Sequence, residues 1–74
     1  MNTNDPTLIS AITEAAHAIR NDLNIVTGNA YLLSHDPAVS AEHKRAAASV
    51  YDAAFRIVDH LDRLVAQARS AQKL

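Results

Sequence analysis

Apolar residues recur along the first half of the chain at alternating spacings of three and four: Ile9, Ile12, Ala16, Ile19, Leu23, Val26, Ala30 and Leu33. That rhythm is a heptad seam and predicts a long amphipathic helix. The rhythm stops at Ser34-His35-Asp36-Pro37-Ala38-Val39-Ser40, a stretch with Pro after Asp and a capping Ser at its end. It reads as a loop. A second seam follows at Ala47, Val50, Ala54, Ile57, Leu61, Leu64 and Ala68. The pattern therefore predicts one domain spanning 1–74, with a helix over about 6–34, a loop over about 35–40 and a helix over about 41–71. Asp5-Pro6 suits the start of the first helix, because the Asp carboxylate accepts from free amides while Pro needs no N–H partner at the first helical position.

Helices of this size are roughly 45 Å long at the standard rise per residue. Leu8, Ala15 and Leu32 widen the first seam, and Val58 and Val65 widen the second. Such breadth suits a bundle of more than two helices. The expected fold class is all-α: an antiparallel two-helix hairpin that homodimerises into a four-helix bundle, since a lone hairpin leaves one side of each stripe wet.

Composition points the same way. A chain of 74 residues buries a small fraction of its surface, and with no Cys it has no disulfide or thiolate–zinc site to reinforce it. Oligomerisation is the remaining common device. Seven Lys and Arg are interspersed with eight acids for a net charge of -1, without the basic stripe that a nucleic-acid partner requires. No apolar run is long enough to span a bilayer, and Met1–Pro6 lacks the basic start and apolar centre of a secretory signal. A soluble, cytoplasmic protein is the expectation, with no cofactor or metal in this chain.

The candidate chemistry lies in His17-Ala18-Ile19-Arg20-Asn21-Asp22-Leu23-Asn24-Ile25-Val26-Thr27-Gly28. With Ala16 and Ile19 in the seam, His17 falls on a flank that points outward. Neutral imidazole is a nucleophile available near pH 7. Asn21 stands one turn further along the same face, and Arg20 is within reach of it. His35 and His43 flank the loop as solvated or capping residues. Asp52, Arg56, Asp59, Asp62 and Arg63 read as a charged, solvated face of the second helix, and His60 as a helix residue without the carboxylate–His spacing of a metal site.

This run resembles the phosphoacceptor box of two-component sensor histidine kinases, within their dimerisation and histidine phosphoacceptor (DHp, HisKA-like) domain. That box commonly reads H-E-x-x-N-P-L or H-E-x-x-T-P-L, then Gly eleven residues after the His and a small-x-Leu-Leu tail. His17, Arg20, Asn21, Leu23, Gly28, Ala30, Leu32 and Leu33 keep its register. The sequence departs from it at Ala18, where the family has an acidic residue, and at Asp22, where it has Pro. The resemblance spans most of the chain but only the dimerisation half of such a kinase. With a single Gly, these 74 residues do not carry the glycine-rich ATP-binding part.

The resemblance implies a phosphotransfer module of a two-component signal-transduction system. His17 is the implied phosphoacceptor, Asn21 the position that orients water or partner in dephosphorylation, and Arg20 a phosphate contact. Its implied partners are a second copy, a response-regulator receiver domain, and a histidine kinase or its ATP-binding domain acting in trans. Ala18 cannot act as a base, which weighs against the chain being an enzyme by itself more than against relay chemistry. Two other readings stand beside this one: a non-catalytic module of the same shape that regulates a kinase or receiver by docking, and a structural helical dimerisation adaptor.

Overall fold

The computed structural model describes Pro6–Lys73, with side chains for residues 6–71. The cap expected at Asp5 lies outside the described residues. Two helices, α1 (Pro6–His35) and α2 (Ala41–Lys73), pack against each other as an antiparallel hairpin measuring 52 × 16 × 15 Å, and no strand occurs among the described residues.

The reversal needs no glycine. Val39 N donates to the Asp36 carbonyl at 3.1 Å, closing a β-turn with Pro37 in its second position, and Ala38 N donates to Asp36 Oδ1 at 2.9 Å. With no positive φ among the described residues, this is the type I arrangement that Asp-Pro favours. Ser40 then caps α2: its hydroxyl accepts from His43 N at 3.2 Å and its carbonyl from Lys44 N at 2.9 Å. At the end of α1, the Ser34 hydroxyl donates to the Tyr31 carbonyl at 2.8 Å, and His35 Nδ1 lies 2.9 Å from the same oxygen. Two side chains of the last turn thus converge on one carbonyl.

The inner face is built mostly of small side chains. Ile9, Ala16, Leu23 and Ala30 from α1, spaced by seven, meet Ala47 and Ala54 from α2, and these six are the buried core. Half-buried Thr13, Arg20, Thr27 and Ser34 flank the α1 line, and Tyr51, Val58 and Val65 flank the α2 line.

The seam expected from the sequence therefore divides in two. Every second member is in the hairpin core or at its edge; of the alternate members Ile12 is half-buried, Ile19, Val26 and Leu33 are 42%, 40% and 51% exposed, and Val50, Ile57 and Leu64 are 48%, 44% and 49% exposed. The reason is geometric. Two helices in contact cover one narrow line on each other, and a stripe as wide as this one extends beyond that line. Ten large hydrophobic residues are exposed among the described residues, and six of them form this pair of seven-residue ladders.

Candidate functional site

His17 is exposed on α1, immediately after the buried Ala16. The helical phase of Ala16 fixes this position, because one residue is about 100° of rotation and turns His17 from the contact line to its rim. The imidazole borders a groove of about 240 Å³ between the two helices. Thr13, Ala16, His17 and Arg20 form one wall; Asp62, Val65, Ala66 and Arg69 form the other.

Arg20 is held more firmly than an exposed helix residue. Its Nη2 donates to Asp62 Oδ1 across the hairpin, an ion pair with both side chains about half exposed. Its Nε is buried and has no partner among the described residues. Asp62, read from the sequence as part of a solvated face, instead closes one side of the groove. Arg69 borders the same groove and makes no ion pair with a described residue. Thr13 is committed locally, donating from Oγ1 to the Ile9 carbonyl at 2.9 Å. The groove so assembled carries two guanidinium groups against one carboxylate, over a floor that includes Ala16, Val65 and Ala66.

Asn21 is exposed and lies one turn beyond His17 on the same side of α1. It does not line the groove. Ala18 and Asp22 are exposed as well. Asp22 is about 140° around the helix from His17 and supplies no carboxylate at the imidazole. His60 borders a different depression with Arg56, Asp59 and Arg63, so the hairpin does not bring it to His17. Among the described residues no group of three or more His, Asp or Glu is placed to hold a metal ion.

Two features escaped the sequence reading. Arg69 enters the groove from the far end of α2, which only the antiparallel register brings level with His17. Nearer the turn, Tyr31 stacks on His35 with ring centroids 4.1 Å apart, and Tyr51 lies 6.1 Å from Tyr31 and meets Phe55 edge-on at 4.9 Å. All three aromatic residues of the chain are thus in one cluster. Tyr31 is fourteen residues after His17, hence on the same side of α1. The spacing of four between Tyr31 and His35, and between Tyr51 and Phe55, was the available signal.

The opposite side of the hairpin is apolar. There Val26, Ala30, Leu33, Ala47 and Val50, with Asn29, border a groove of about 270 Å³, so that the exposed ladders of both helices open onto one face. No helix among the described residues is long and apolar enough to cross a membrane. No protein-family model, curated protein or solved structure matches this chain.

Proposed function

We propose that this hairpin is a histidine phosphoacceptor module of a two-component signalling system, working as a homodimer. The observation that carries the reading is the two-sidedness of the hairpin. His17 borders an arginine-bearing groove on one side, and the exposed seven-residue ladders lie on the other.

A second copy covering the ladders buries six large side chains in a four-helix bundle and leaves both His17 imidazoles open to partners. Each His17 ring nitrogen then attacks a phosphoryl group, displacing ADP from ATP held by a kinase domain, and passes the group to a receiver carboxylate. Such transfers rest on exposure, in-line approach and charge neutralisation more than on covalent work by the acceptor domain. Asn21 is assigned to orienting water or partner beside the phosphoryl group. No cofactor is assigned to this chain, and ATP chemistry is assigned to a separate kinase domain.

The test is to incubate the protein with a kinase ATP-binding domain and ATP, and with phosphorylated receivers, and to measure intact mass and acid lability. Label at His17 that is absent from His17→Ala is the expected result. A second reading is favoured by Ala18 and by the engagement of Asp62 with Arg20, which together leave His17 no free carboxylate in its groove. In that reading the hairpin docks a kinase or receiver without carrying phosphate. It predicts binding of either partner with no label.

A further inference from the structure

We propose that Arg69, reaching the groove from α2, and Arg20, from α1, form a guanidinium cradle for a phosphoryl group on His17, and that Asp62 is a latch that occupies Arg20 until the group arrives. The proposal rests on the phosphoacceptor reading of His17 and adds to it the residues that hold the product.

Three observations carry it. His17, Arg20 and Arg69 border one groove of about 240 Å³, larger than a phosphoryl group requires. The carboxylate in that groove, Asp62, is committed to Arg20, while Arg69 has no ionic partner among the described residues. Arg20 also carries a buried Nε without a partner among them, so its present pairing leaves donor capacity unused. A guanidinium recognises phosphate oxygens through paired N–H donors, and two of them on facing helices match a dianionic tetrahedral group. The Asp62 carboxylate opposes such an anion in the resting groove. A phosphoryl group on His17 offers Arg20 up to two negative charges in exchange for one.

Two measurements test this. Inorganic phosphate is titrated at low ionic strength while the His17 ring signals are followed by NMR. A saturable shift is expected, weakened at least fivefold in Arg69→Ala, largely kept in Arg69→Lys, and strengthened in Asp62→Asn. In parallel, phosphoramidate is used as a donor: its P–N bond breaks, a His17 ring nitrogen forms the new P–N bond, and ammonia leaves with the ring proton. Labelling should slow in Arg69→Ala and quicken in Asp62→Asn. A general loss of structure would slow both variants, so the opposite signs separate charge from folding. Phosphate affinity unchanged in Arg69→Ala, or weakened in Asp62→Asn, overturns the cradle. Failure of the wild type to take label, with the Arg69-dependent phosphate shift intact, overturns the phosphoacceptor reading and leaves the cradle standing.

Discussion

His17 and Ile19 are two residues apart and lie on opposite sides of the hairpin, about 160° apart around α1. One opens onto the charged groove beside Arg20 and Asp62, and the other stands on the exposed ladder with Val26 and Leu33. A single helix thus separates a groove lined by charged side chains from an exposed apolar face.

That separation predicts how substitutions divide. If the proposed dimer forms through the ladders, Ile19→Asp should convert it to a monomer in sedimentation equilibrium, because it places a charge on that apolar face. His17→Ala should leave the mass unchanged. Leu23→Asp, on the buried line of the hairpin, should abolish helicity by circular dichroism as well. An Ile19→Asp protein that remains dimeric would show that the ladders are not the interface.

Gly28 occupies an exposed helical site where an added Cβ meets nothing within 4 Å. Close approach of α2 therefore does not account for it. Gly28→Ala should stabilise the protein by about 1 kcal/mol through helix propensity, read as a higher urea midpoint at unchanged slope. If a partner needs the missing side chain, phosphotransfer to it will fall while stability rises.

Ser40 holds the entrance to α2 through both its hydroxyl and its carbonyl. Replacement by Ala removes the hydroxyl cap alone, and a loss of about 1 kcal/mol is expected in chemical denaturation. Ser40→Asp, which retains an acceptor, should restore most of it.

The Arg20–Asp62 pair is half exposed, so its contribution to stability should be small. A double-mutant cycle with Arg20→Ala and Asp62→Ala should give a coupling of less than about 1 kcal/mol that vanishes at high salt. A larger, salt-insensitive coupling would mean that the pair is structural, which would count against its role as a latch.

The sequence made the two helices and their turn legible because each has its own local signature: a seven-residue apolar rhythm, an Asp-Pro turn and a Ser cap. It showed which residues are apolar but not how they are shared out. Ile12, Ile19 and Leu23 look alike in the heptad, and only the hairpin shows that Leu23 is covered by α2 while Ile19 is left exposed. The outward position of His17 was readable from its phase relative to Ala16. Arg69 was not, because its proximity to His17 depends on how many residues the turn consumes. Asp62 looked like one more charge on a solvated face for the same reason.

Four of the six core residues are alanines. Short, unbranched side chains interlock little, so an inner face of this kind resists axial sliding less than one with large knobs in deep holes. The Pro37 turn joins the helices at one end, and the Arg20–Asp62 pair bridges them about midway along α1. Beyond that pair, toward Pro6 and Lys73, neither the turn nor an ion pair among the described residues ties the two helices together. That open end is where the two rods are freest to shear past each other.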